Sequence, residues 1–417
     1  MKYILNYFIS FACILGVIAT FNWFVDPFGM HWSPKLSNIN ALKPEAGTRT
    51  RITKAYQANI IAPDVLIVGN SRVEMGLSPS SPLFNNKTVY NQGMPGAHLV
   101  MQIDYAINTI KTTPNIKEVL VGIDFVDFLI THNQANEPIE ILDRAIKKSY
   151  NFRLESYDND NKYAAALRLK EKMALVFSLD ALSASLKTLT QQKSLSSGID
   201  ELGFNSALSY LSIMKTEGIK PLFTQKLQAI ADRLKNPLYI ISLNKPSISA
   251  RLIHLKSLIE ETKKRNIKVT LFINPYHFSY LHVLAEYNQW QNFITWKKDL
   301  TSFVNKLNST EDSLENGLEL TLWDFSGFNT MTNEAVLLET PKKTMHWFWE
   351  PAHYRKALGN KMLESMLNED KSNHRGFGKI LLPKNIQLSI LEDNEGLKKS
   401  KDNWLNLKER LALSTID

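Results

Sequence analysis

"DVLIVGNSRVEMG", Asp64–Gly76, runs four apolar residues straight into Gly69-Asn70-Ser71-Arg72. A short apolar run closed by a turn signal reads as a strand buried on both faces, as in a parallel sheet. The chain leaves such a strand at its carboxyl end, where open α/β sheets place their ligands. Two readings of Ser71 therefore compete: a nucleophile presented at the sheet, or part of an ordinary strand-to-helix turn. The motif is not the G-x-S-x-G elbow, so the tetrapeptide alone does not decide.

Outward from this stretch, strands and amphipathic helices alternate. Strand-like runs at Val65–Val68, Thr88–Tyr90 and Val119–Ile123 accompany a helical stretch from His98 to Lys111, with Leu99, Ile103, Ala106, Ile107 and Ile110 on one face. The pattern breaks from about 131 to 247, where helix-rich composition reads as an insertion over the sheet. Its clearest part is "ALRLKEKMALVFSLDALSASLKTL", and a strand is expected only at Leu238–Ile241. Insertions on a rigid scaffold commonly carry specificity. Alternation then resumes with a helix at Ala250–Arg265 (Leu252, Ile253, Leu255, Leu258 and Ile259 on its face) and a strand at Val269–Ile273. A helix at Leu284–Leu307, a strand at Leu318–Trp323 and a closing helix ending near Leu367 follow. The expectation is an α/β domain with a mainly parallel sheet over 61–367, then a charged tail, 368–417, standing apart from the core.

The first residues add a second theme. Tyr3 to Phe24 carries no charge and is long enough, at about 1.5 Å per residue, to cross a hydrocarbon core of about 30 Å. Residues 1–28 read as an uncleaved anchor, since the apolar run exceeds a usual signal h-region and no small-x-small site closes it. Residues 29–60 read as a membrane-proximal linker. Lys2 on one side and Lys35 and Lys43 on the other leave the charge count too balanced to orient the anchor. The single cysteine, Cys13, lies inside the span, so the rest of the chain forms no intramolecular disulfide. The net charge of +8 is dispersed among acids, so nucleic acid is not an expected partner.

A serine hydroxyl needs a base within hydrogen-bond reach and donors for the oxyanion that develops. "YNQGMPGAH", Tyr90–His98, supplies glycines at the end of the next strand, where backbone N–H groups can approach a reacting carbonyl; a plain turn is the alternative. "WFWEPAHYRKALG" places Glu350 three residues before His353, a spacing at which a carboxylate can orient an imidazole. His346, Glu350 and His353 also invite a zinc reading. Pro351 directly after Glu350 breaks the continuous helix that a zincin pattern needs, so no metal is expected. No nucleotide-binding glycine signature occurs in a strand-helix context, and no cofactor is expected. Asp324 ends a strand and is either a cleft residue or a turn former. His98 and His277 read as structural or as pocket residues.

In the order of these blocks the chain resembles the SGNH/GDSL hydrolase superfamily, in particular its membrane-anchored branch linked to exopolysaccharide and cell-envelope O-acylation. The resemblance spans about Asp64 to Leu367. Asn70-Ser71 stands for the nucleophile block, Asn91 to Gly96 for the glycine block and Glu350-x-x-His353 for the final Asp-x-x-His block. It implies a three-layer α/β/α flavodoxin-like fold, catalysis by Ser71, His353 and Glu350, and an oxyanion hole from the N–H groups of Ser71 and Gly96. The third block, usually Gly-x-Asn-Asp, falls on Gly122-Ile123-Asp124-Phe125. Asp124 thus stands where a donating asparagine is expected, and an ionised Asp cannot donate. Asn274 is the substitute candidate. Arg72, Asn91 and His277 are candidate substrate contacts. The resemblance further implies acyl transfer or ester hydrolysis on a cell-surface polysaccharide, an extracytoplasmic domain and a membrane-bound acyl-donor partner. The rival expectation, resting on Asp124, is a non-catalytic glycan-binding or assembly module.

Overall fold

Five apolar runs build the sheet: Val65–Val68 (β1), Val89–Asn91 (β2), Glu118–Ile123 (β3), Lys268–Ile273 (β4) and Thr321–Asp324 (β5). Phe348–Glu350 (β6) and His353–Tyr354 (β7) form a separate antiparallel pair, and Lys379–Ile380 (β8) closes the main sheet. The order is β2-β1-β3-β4-β5-β8, parallel except for β8. In register, Leu66 lies between Tyr90 and Val119, and Leu120 lies between Ile67 and Thr270. This computed structural model describes residues 2–130, 134, 137–155, 162–193, 198–235, 251–309, 320–338, 344–368 and 376–413. The expected strand at Leu238–Ile241 and the start of the one expected at Leu318 lie outside the described residues.

The helices before the insertion are Lys2–Val25 (α1), Thr50–Ile61 (α2), Ser71–Gly76 (α3) and Leu99–Thr112 (α4). Because the chain moves from β1 outward to β2 and returns past β1 to β3, the strand order reverses between β1 and β3. Ser71 and Asp124 follow those two strands, at the crevice such a reversal opens. Between β3 and β4 the described residues hold Ile139–Lys148 (α5), Asn151–Glu155 (α6), Ala164–Val176 (α7), Leu179–Thr190 (α8), Leu208–Thr216 (α9) and Lys220–Lys235 (α10). Leu252–Lys264 (α11) leads into β4, and Phe278–Glu286 (α12) and Trp290–Asn308 (α13) connect β4 to β5.

Three expectations are corrected. The helix expected over Leu284–Leu307 is two, because Asn288 takes a left-handed backbone (φ 58°) between α12 and α13. Ile253 is exposed: the buried face of α11 runs through Leu252, Leu255, Leu258, Ile259 and Thr262, and the next position falls about 100° off its edge. Part of the linker is folded, with Thr53, Lys54, Tyr56 and Gln57 of α2 buried.

The C-terminal segment departs most from expectation. After Lys356–Leu367 (α14), β8 pairs with β5, and Ile386–Lys399 (α15) and Lys401–Arg410 (α16) pack on the core. Trp404 and Leu407 on α16 and Leu411 just beyond its end are buried, while Leu405 is exposed. His282 of α12 stacks on Trp404, with ring centroids 5.7 Å apart, and its Nε2 lies 2.8 Å from Ser400 Oγ.

Burial pushes the His282 imidazole down to about 4, and burial pushes buried His277 down to about 4 as well, from an ordinary value near 6.5. Between those limits the unfolded chain binds protons that the folded chain does not, so unfolding free energy falls as pH drops from about 6.5 to 4. Each histidine is expected to contribute on the order of 1 kcal/mol per pH unit across that window. Urea denaturation of detergent-solubilised protein at pH 7, 6 and 5 checks this: His282→Gln should flatten the pH dependence, whatever it costs at pH 7.

Candidate active site

The segment after β1 becomes a helix because Asn70 caps it. The Asn70 side chain accepts the N–H of Arg72 at 3.0 Å, which sets Ser71 at the first turn of α3. Asn91, at the end of β2, binds the next loop to the same helix. Its Oδ1 accepts the Gly93 N–H at 2.8 Å, and its Nδ2 donates to Val73 O at 2.9 Å and Leu77 O at 2.8 Å. Gly96 in that loop has φ +63°, a conformation that side-chain-bearing residues rarely adopt. Ser71 and Gly96 line the same cleft.

The base arrives from the β6–β7 hairpin. His353 Nε2 lies 2.8 Å from Ser71 Oγ, and His353 Nδ1 contacts Glu350 Oε1. The turn that separates them is held by Glu350 itself, whose Oε2 accepts the Ala352 N–H at 2.8 Å. Close packing fixes the hairpin against α3: a Cβ on Gly76 would stand 1.9 Å from the Tyr354 ring. Burial pushes the Glu350 carboxyl up. The charge of His353, its hydrogen bond and the Lys226 ammonium outweigh that and hold it below its usual range.

Asp124 sits beneath this group, fully buried, and acts only as an acceptor. Arg72 Nη1 is 2.6 Å from Oδ1, Tyr276 Oη donates to Oδ1 at 2.9 Å, and Asn70 Nδ2 and Asn274 Nδ2 approach Oδ2, the latter at 3.5 Å. Arg72 in turn donates through Nε to Ala352 O at 2.7 Å and lies over the rings of Tyr276 and Tyr280. One carboxylate therefore ties the cap of α3, which carries Ser71, to the turn that carries His353.

The structure brings Ser71, His353 and Glu350 together, with Ser71, Arg72, Gly96 and His353 on a cleft of about 450 Å³. It does not bring Asp124, Asn274, Asn91 or His277 onto the lining of that cleft. Asn274 is occupied by Ile123 O and the Tyr354 hydroxyl, and His277 caps α12, with Nδ1 2.7 Å from Ser279 Oγ and Nε2 2.8 Å from Glu334 O. His98, exposed on the cleft wall, has its imidazole depressed by partial desolvation and then by the Arg251 and Arg233 charges. Asp324 binds Lys297 and lines a separate hollow of about 740 Å³ beside α15, which none of Ser71, His353 and Glu350 lines.

Sequence reasoning missed the contributions of the insertion and the linker. Lys226 of α10 reaches to 3.7 Å from Glu350 Oε1, and the Tyr210 ring packs against His353 with centroids 6.2 Å apart. Lys54 of α2, wholly buried, pairs with Glu74 of α3 at 2.9 Å and donates to Gly203 O at 2.8 Å and to Gly93 O. Lys54 lies in the stretch that reads as a linker, Tyr210 and Lys226 lie in the helix-rich insertion, and no local pattern marks them. No protein-family model matches the chain, and no curated protein matches it.

Proposed function

We propose that this chain is a membrane-anchored serine acyltransferase or esterase, built on an SGNH-like three-layer fold, that moves acetyl groups on a cell-surface polysaccharide. The observation that carries this reading is the unbroken relay of Ser71 Oγ, His353 and Glu350 at the carboxyl end of β1. Ser71 Oγ attacks the ester carbonyl as its proton passes to His353 Nε2. Glu350 holds Nδ1–H and stabilises the imidazolium. The N–H groups of Ser71 and Gly96 receive the oxyanion. Collapse of the tetrahedral adduct expels the donor alcohol, protonated by His353, and leaves an acyl-Ser71 ester. A sugar hydroxyl or water, deprotonated by His353, then takes the acyl group. The anchor and the envelope location imply an extracytoplasmic domain supplied by a membrane-bound acyl donor.

The rival binding-module reading rested on Asp124 as a spoiled oxyanion donor. Its place under Arg72 and Asn70 gives it a positioning task instead, which supports the catalytic reading. The test is intact mass of the purified chain after exposure to a fluorophosphonate or an activated aryl acetate. A single adduct on Ser71 is expected. A folded protein that gains none from neutral to mildly alkaline pH would transfer the assignment to the binding module.

A further inference from the structure

We propose that the bent α7–α8 helix pair, together with the loop at residues 36–42, is a membrane-docking collar that seats the domain on the bilayer surface around the base of α1. This rests on the reading of α1 as a membrane anchor. The collar is joined to that helix. Ala19, Asn22 and Val25 are the buried positions of α1, and α7 and α8 both pack against it. Asn22 donates to Val176 O at 2.8 Å and accepts from Ser185 Oγ at 2.9 Å, so the polar residue at the anchor's end is satisfied by the helix pair rather than by water. The loop is tied to the end of α8, since Leu42 N–H donates to Gln192 Oε1 at 3.0 Å and Gln192 Nε2 donates back to Leu42 O at 2.9 Å.

The outer face of this assembly is apolar where a soluble surface would be charged. Leu179 is 78% exposed, Leu169 61% and Leu186 53%, and Met173, Phe177 and Ile39 are exposed beside them. Leu169, Met173 and Phe177 recur every four residues, one stripe along α7, while Ala181, Ala184, Ser185 and Thr188 form the inward face of α8. These side chains are exposed, as is most of the length of α1. An apolar face flanked by Lys170 and Lys172 suits a bilayer interface with anionic headgroups. The bent pair lies at the interface and does not cross. Taken together its helices are long and apolar enough to span, but they bend by 56°, Asp180, ion-paired with Arg49, stands next to the bend, and Ala181, Ala184, Ser185 and Thr188 are buried inward.

Site-directed fluorescence on the full chain in phosphatidylethanolamine–phosphatidylglycerol vesicles tests this. Cys13, the only native cysteine, reports on the anchor. In a Cys13→Ser background, Leu179→Cys and Phe177→Cys carry an environment-sensitive dye on the collar, and Leu405→Cys serves as an exposed apolar control on α16. Dyes at 177 and 179 are expected to shift blue and to be quenched by lipids labelled near the headgroup, about 5–10 Å deep at most. The dye at 405 should stay in water. Circular dichroism matching wild type shows that the labelled chains are folded. Deep quenching at Cys13 with water exposure at 177 and 179 overturns the collar, leaves the anchor reading intact and frees the face for a protein partner. Water exposure at all sites removes the anchor reading and the collar with it. Strongest quenching at 179 by a bilayer-centre probe overturns the interfacial placement in favour of an inserted helix pair.

Discussion

Ser71→Ala and His353→Ala are each expected to lower the rate of ester turnover by about a millionfold, and the double variant no further, because the two side chains act as one unit. With Ser71 Oγ and His353 Nε2 at 2.8 Å, loss of the first removes the nucleophile and loss of the second removes its activation, so either leaves no working nucleophile. Glu350→Gln is expected to fall less, by about 10³–10⁴, because the nucleophile and base remain but the imidazole loses the partner that fixes its tautomer. An amide at 350 presents both a donor and an acceptor to Nδ1, and the ring then spends most of its time with the wrong nitrogen protonated. The fold should survive, since Lys226, the other charge on Glu350, is partly exposed and can turn to water. Pre-steady-state turnover of a chromogenic acetate by wild type and the four variants gives the ordering. Equal losses for Glu350→Gln and His353→Ala would mean that Glu350 holds the hairpin rather than the tautomer. An undiminished Ser71→Ala would remove the nucleophile altogether.

What could be read from the chain and what could not divides along physical lines. β1 to β5 are buried on both faces, so their apolar runs stand out without any partner being known, and the residues just after them are named by position alone. That is why Ser71, Gly96, Asp124 and Asn274 were all placed at the carboxyl ends of strands. The roles of the last two were not legible. Whether a buried Asp donates, accepts or neutralises depends on what the fold sets against it, and Arg72 comes from the helix after β1 while Asn274 and Tyr276 come from the loop after β4. The tail was misread for a related reason. Trp404, Leu407 and Leu411 are few among many charges, and their burial is decided by His282 and the rest of a distant surface. Lys54 is the extreme case, an outwardly ordinary lysine on a helix that the fold encloses completely, joining the nucleophile helix to the glycine loop.

Asp124→Asn is where the resemblance and the geometry give opposite expectations. By the family's third block, asparagine at 124 supplies the missing oxyanion donor and should speed the reaction. By the geometry it should slow the reaction and weaken the fold. Asp124 does not line the cleft, so a new amide there has no oxyanion to meet. It meets four donors instead: the Arg72 guanidinium, the Tyr276 hydroxyl and the amides of Asn70 and Asn274. An amide offers them one acceptor oxygen and points an NH₂ either at the amide NH₂ groups of Asn70 and Asn274 or at the Arg72 guanidinium and the Tyr276 hydroxyl, which already accepts the Phe125 N–H. Arg72 is left buried without its counter-charge, a loss that commonly costs about 3–5 kcal/mol. The same Arg72 holds the Ala352 carbonyl next to His353, and Asn70 caps the helix that presents Ser71, so a displaced Arg72 also pulls base and nucleophile apart. Urea denaturation and the rate of fluorophosphonate labelling measure the two consequences separately. Removing both charges, in Arg72→Met with Asp124→Leu, is expected to recover much of the stability, because an unpaired buried charge is the costly species. It should not recover the rate, because the tie between the two halves of the site is gone. An Asp124→Asn protein as stable as wild type and faster would return the oxyanion role to this position. A stable but slower one would separate the positioning task of Asp124 from its share in the fold.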